Sequence, residues 1–146
     1  MSVTAASQLS LDLNAWHGWI RPGSGFPEFE HSPGSRRKGH SITAGRASFD
    51  LPDAAESPTT SWDRQGSLLC VFSGRLYNDL DLAAEFSPRQ PVEGFTPARF
   101  VIEAYRRWGC NAVSHLDGVY VWALWDRSAE TLICSRDPVG IHPFFY

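Results

Sequence analysis

The sequence is short of the features that most often announce a chemistry. It has three cysteines, Cys70, Cys110 and Cys134, and no CxxC pair, which excludes a zinc ribbon and a disulfide framework. Cys70 and Cys134 fall in apolar, strand-like runs; they are expected as buried free thiols and fit a reducing, cytoplasmic setting. No apolar run approaches the ~18 residues of a membrane span, and the first residues lack the basic start and apolar block of a secretory signal. Thirteen Lys and Arg against 16 Asp and Glu leave a net charge of −3, which offers no electrostatic footprint for nucleic acid. His31 and His40 do not have a metal-ligand spacing, and Arg36-Arg37-Lys38 reads as a solvated loop. There is no P-loop, Rossmann glycine pattern or paired-carboxylate site.

What is present is apolar surface for one core: 42% of the chain is hydrophobic, with six Trp and nine Phe. The clearest part is the end. Val119, Val121, Ala123 and Trp125 alternate with Tyr120, Trp122 and Leu124, both sets apolar, which predicts a strand covered on both faces. Asp126–Glu130 is a hairpin-length break, and Thr131–Ser135 returns as a second strand. Arg136–Gly140 breaks the chain again, and Pro143–Tyr146 reads as the start of a third strand. Because apolar sequence runs to the last residue, the chain is expected to continue into a further domain. Upstream, Ala15–Ile20, Ile42–Phe49 and Ser67–Phe72 read as strands, with 24–39 and 50–63 as loops and 1–13 as a flexible tail before a domain over 14–146. A short helix capped by Asn78 or Asp79 runs to Phe86, with Leu80, Leu82, Ala83 and Phe86 apolar. A second starts at Thr96-Pro97 and carries Phe100, Val101, Ala104, Tyr105 and Trp108 at 3–4 spacing up to Gly109. Helices layered on antiparallel sheet follow from this order, an α+β fold.

FSGRLYNDLDLAAEF (72–86), AYRRWG (104–109), LDGVYVWALWD (116–126) and SRDPVGIHPFFY (135–146) together resemble the class II glutamine amidotransferase domain that forms the N-terminal half of asparagine synthetase. The resemblance spans roughly Trp16 to Tyr146. It implies a four-layer αββα sandwich of two antiparallel sheets flanked by helices. It also implies an ATP-using synthetase domain as C-terminal continuation or separate chain, with ATP and Mg²⁺ bound there and no cofactor here.

In that family an N-terminal Cys attacks the glutamine amide with its own α-amino group as base, chemistry that only a free chain end can perform. The Cys-Gly slot aligns with His17-Gly18. Arg46 aligns with the Arg that grips the glutamine α-carboxylate. Ser73-Gly74 aligns with the Asn-Gly of the oxyanion hole, where loss of one donor costs about 10²–10³ in rate. Pro97 stands where the family has the Asp that holds the α-amino group. Arg136, Asp137, Phe144 and Tyr146 are expected to face the synthetase domain, Arg136 and Asp137 as an ion pair or turn-capping unit. The implied reading is a non-catalytic amidotransferase-like domain of an amide-forming enzyme, as in beta-lactam synthetases and lasso-peptide macrolactam cyclases, acting on a peptide or small carboxylic acid. Two alternatives stay open: a stand-alone carboxylate-binding or interaction module using Arg46, and an active glutaminase whose nucleophile is Ser2 or an exposed Cys70.

Overall fold

The computed structural model describes residues 2–4, 9–12, 17–20, 39–45, 47–52, 58–86 and 95–141. In chain order the elements are β1 (Ser2–Thr4), β2 (Leu9–Asp12), β3 (His17–Ile20), β4 (Gly39–Ala44), β5 (Ala47–Pro52), β6 (Thr59–Trp62), β7 (Leu68–Leu76), α1 (Asp79–Phe86), α2 (Pro97–Trp108), a short 3-10 helix over Gly109–His115, β8 (Gly118–Asp126) and β9 (Thr131–Arg136). One sheet has five strands in the order β1-β9-β8-β7-β6, the other four in the order β2-β3-β5-β4. All pairings are antiparallel.

The doubly apolar alternation of β8 is used as expected. Tyr120, Trp122 and Leu124 join Phe72, Cys70 and the inner faces of both helices in one core. Val121, Ala123 and Trp125 point the other way and meet Ala44, Ala47, Phe49 and Leu51 of the second sheet. Trp122 and Trp125 are each 1% exposed, so both indoles are core. The result is an α+β sandwich of two antiparallel sheets, with α1 and α2 on the outer face of the larger one. Among the described residues no helix covers the smaller sheet.

The helix boundaries follow their caps. The Thr96 hydroxyl accepts from Arg99 N at 3.3 Å, Pro97 opens the first turn, and Gly109 ends α2 with its N–H on the Tyr105 carbonyl. The Asn78 side chain spans a longer interval, donating to the His115 carbonyl at 2.9 Å and accepting from Asp117 N at 3.1 Å. It thereby ties the start of α1 to the entrance of β8. Rings connect the two helices: Phe86 lies 6.5 Å from Phe100 and 5.5 Å from Trp108.

Several expectations need correction. Residues 1–13 are not a tail throughout, because β1 pairs with β9 and β2 with β3; Leu9 and Leu11 alternate with polar residues, a short half-buried strand pattern. The single strand expected over Ile42–Phe49 is a hairpin that turns at Gly45, φ +62°. The loop expected over 50–63 contains β6, an edge strand of polar β-formers held by its ladder to β7. Leu80 is 70% exposed while Leu82 and Ala83 are buried, since positions two apart on a helix lie on nearly opposite sides. The third strand expected from Pro143 lies outside the described residues.

Asp63 binds the β6–β7 turn to α2. Its carboxylate accepts from Ser67 N (2.7 Å), Ser67 Oγ (2.8 Å), Leu68 N (2.9 Å) and Arg106 Nη2 (2.6 Å). Burial pushes its pKa up, but the Leu68 and Ser67 donors and the Arg106 charge outweigh it and hold the carboxyl below its ordinary value. A depressed folded-state pKa stabilises the fold above the unfolded-state value, and the gain is lost as pH falls through the folded value. Asp63→Ala should therefore destabilise by about 3 kcal/mol at neutral pH. In acid melts that deficit should begin to shrink below about pH 4, where the unfolded-state carboxyl protonates, and vanish below the lower folded-state value. Urea melts of both proteins at several pH values check this.

Candidate functional site

The position expected to align with the family's nucleophile lies within a sheet. His17 opens β3 and is paired on one side with Asp12 of β2 and on the other with Asp50 of β5. Its nitrogen is a peptide nitrogen, preceded by a strand of the same sheet, so no free amine is available there as a base. Ser2 does not reach the alternative position either. It pairs with Ile133, which pairs with Leu124, which pairs with Cys70. Three strand spacings and a three-residue offset put the Ser2 backbone roughly 17 Å from Ser73. Cys70 is fully buried, and burial, with Cys134 adding to it, raises its pKa well above the ordinary thiol value; burial pushes the Cys134 thiol up to about 12. Neither offers the thiolate that attacks an amide. Cys110 is exposed and free.

Ser73 and Gly74 end the well-packed part of β7, opposite Val121 and Tyr120. Strand alternation after Leu69 and Val71, both in the inter-sheet core, sets Ser73 on the inter-sheet face. It is 8% exposed, and among the described residues its hydroxyl has no hydrogen-bond partner. Gly74 has φ +112°, and a Cβ there would stand 2.2 Å from the Val119 carbonyl oxygen and 2.8 Å from Tyr120 Cα. The close approach of β8 thus demands glycine for a structural reason, independent of any oxyanion.

Tyr105 Oη bonds Asp126 at 3.2 Å and Arg106 bonds Asp63, which fixes the end of α2 beside the start of β7. Pro97 occupies the first helical position of α2, and the first turn carries no acid. Arg46 lies outside the described residues. Its neighbour Gly45 sits with its Cβ position 3.6 Å from Arg127 Nε. Arg127 N donates to the Ser67 carbonyl, so this turn is at the start of β7, while Ser73 is roughly 17 Å further along that strand. Nothing described brings the β4–β5 turn to Ser73 and Gly74.

Asp137 corrects the expectation of an outward-facing residue. It is 2% exposed, and one carboxylate oxygen accepts from Gly140 N at 2.7 Å and Ile141 N at 3.4 Å, closing the turn after β9. Burial raises its pKa, but these amide donors outweigh it and hold it below the ordinary range. Asp followed by Gly three residues later is a turn signal that the sequence carried. Arg136 is exposed, its guanidinium lying 3.3 Å from the position a Gly140 Cβ would occupy. Phe144 and Tyr146 lie outside the described residues. The buried, four-donor Asp63 was read only as part of a loop. Among the described residues, no helix is long and apolar enough to cross a membrane.

Three relatives bear on this arrangement. Asparagine synthetase [glutamine-hydrolyzing] 3 of Bacillus subtilis is 34% identical over 77 residues, covering 52% of this chain and 12% of its own length. A putative asparagine synthetase [glutamine-hydrolyzing] of Mycobacterium bovis is 35% identical over 77 residues, 51% of this chain and 12% of its own. Amidase chry2 of Gibberella zeae is 28% identical over 140 residues, 95% of this chain and 19% of its own. The chain spans less than a fifth of the length of each. The family model for a glutamine amidotransferase domain matches residues 44–146, which take in Arg46, Ser73, Gly74, Pro97 and the turn after β9 but not His17. By that match this chain belongs to the glutamine amidotransferase domain family.

Proposed function

We propose that this is an amidotransferase-like domain without glutaminase activity, the scaffold of an ATP-dependent amide-forming enzyme of the asparagine synthetase kind. The observation that carries this reading is the position of His17, a residue that cannot form a thioester, inside the β2-β3-β5 ladder. Ser73 and Pro97 add to it, since neither offers the carboxamide or carboxylate that the family's glutamine pocket uses. The sequence has no phosphate-binding loop, so ATP and Mg²⁺ belong to the synthetase part, as domain or separate chain. The turn after β9, with Val139 79% and Ile141 59% exposed, is the surface assigned to contact it. The amine then comes from free ammonia or from the substrate itself, as in a macrolactam- or beta-lactam-forming enzyme. An amine held beside an acyl-adenylate reacts with a high effective concentration and has no need of a glutamine-derived supply.

The test uses the protein together with its ATP-dependent synthetase and follows ATP-driven amide formation with and without glutamine. Equal product in both is expected, with Arg46→Ala leaving turnover unchanged. Glutamine-stimulated product that Arg46→Ala abolishes would overturn the scaffold reading.

A further inference from the structure

We infer that the surface contacting the synthetase part extends from the turn after β9 across the end of the larger sheet to Tyr77 and the first turn of α1, and that there it takes a basic segment with an apolar anchor. The identity of the partner rests on the scaffold reading; the surface itself does not. Among the described residues five large apolar side chains are exposed: Trp62, Tyr77, Leu80, Val139 and Ile141. Register places four of them at one end. Leu76 is paired with Gly118, where β8 begins, and Tyr77 N donates to the Asp117 carbonyl at 2.8 Å. On the other side of β8, Asp137 N donates to the Tyr120 carbonyl at 2.9 Å, and Val139 and Ile141 follow. Two strand spacings and a three-residue offset put the Tyr77 and Asp137 backbones roughly 14 Å apart. A stable interface covers about 800 Å² per partner, a disc roughly 30 Å across, so one docked surface spans both groups. Trp62, opposite Leu69, is at the other end of the sheet.

Tyr77 and Leu80 are 60% and 70% exposed, yet the backbone that carries them is held. Asn78, between them, donates to the His115 carbonyl at 2.9 Å and accepts from Asp117 N at 3.1 Å. Asp79 Oδ1 accepts from Leu80 N at 2.9 Å. A partner meets a preformed pair of anchors and spends little on ordering them. Leu80 is an apolar position of α1 that neither core uses. Charge selects what docks. Asp79, Asp81 and Asp117 are exposed beside the pair, and among the described residues none of the three is in an ion pair. The remaining acid of α1, Glu85, already meets Arg107 at 3.2 Å, and the helix has no base of its own. The exposed cations at this end, Arg75 and Arg136, belong to the strands. Lys or Arg beside a leucine or aromatic complements the α1 side, whereas an acidic segment is repelled. A second copy of this chain fits poorly, because a two-fold contact sets the same three acids against each other. The relatives have more than four-fifths of their length outside the matched stretch, which is ample chain to supply the complementary surface.

Hydroxyl-radical footprinting of the chain alone and together with its synthetase part tests the surface. Tyr77, Leu80, Val139 and Ile141 should each lose about threefold or more of their reactivity when the synthetase part is present, and Trp62 should keep its own. Asp79→Lys combined with Asp81→Lys, and separately Leu80→Asp, should return Tyr77 to at least about half of its reactivity in the chain alone. All three positions are exposed, and circular dichroism of each variant confirms the fold. Protection of Val139 and Ile141 that leaves Tyr77 and Leu80 reactive would overturn the extended surface without touching the scaffold reading. Protection of Tyr77 that survives the paired Asp→Lys changes would overturn the basic partner. Protection at both places in a protein that also hydrolyses glutamine would refute the scaffold reading and leave this surface standing.

Discussion

Gly74→Ala should be among the most damaging single substitutions in this chain, destabilising it by at least about 3 kcal/mol and lowering the melting temperature by about 6–12 °C. The new methyl carbon would be 2.2 Å from a carbonyl oxygen of β8 and 2.8 Å from a backbone carbon, at φ +112°. Both obstacles are main chain in the centre of the larger sheet, so no side-chain rotation relieves them. The β7–β8 ladder runs from Leu68–Asp126 to Leu76–Gly118 and supplies both cores. Displacing it disturbs the packing of Tyr120 and Trp122 on one side and Val121 on the other. Ser73→Ala, one residue away, removes only an unpartnered hydroxyl and should leave the melt within about 1 kcal/mol of wild type. Thermal melts of the two variants side by side separate a backbone requirement at Gly74 from a general sensitivity of this end of β7. A Gly74→Ala protein that melts like the wild type would show that β8 can move away at little cost.

The parts of the fold legible in sequence are those where side chains decide the structure. β7, β8, β9 and α2 carry long apolar patterns whose period states the element, and α2 states its ends through Thr96-Pro97 and Gly109. β1, β2 and β6 are three or four residues long and are held through backbone ladders to neighbours distant in sequence, which no local pattern reports. β6 is Thr-Thr-Ser-Trp, a composition a loop could equally have. At the candidate site, motif resemblance pointed to Ser73, Gly74 and Pro97; the structure shows the first two adjacent on β7 and the third opening α2. The resemblance could not tell that Asp137 is buried, nor that Ser73 and Arg136 share Val121 as a partner. Both depend on register across β8, a property of three strands together.

Glutamine hydrolysis is where the largest effect is expected, because losing the nucleophile of a catalytic unit costs about 10⁶ in turnover, and on the scaffold reading Ser73 and Pro97 depart from the machinery as well. His17 provides imidazole in place of thiol and a peptide nitrogen in place of an amine. Ser73 provides a hydroxyl where the family has a carboxamide, and the first turn of α2 has no acid for the substrate's amino group. Buried Cys70 and Cys134 are held as thiols, and Ser2 is in a different row of the sheet from Gly74. On the scaffold reading these losses need not be summed, since the first alone would remove the covalent step. The measurement is glutamate release from glutamine by the purified 146-residue chain, compared with Ser2→Ala, Cys70→Ala and His17→Ala forms of the same protein. A rate indistinguishable from buffer in all four is the expected result; turnover by the unmodified chain that any one of the three substitutions abolishes would contradict it and name the nucleophile.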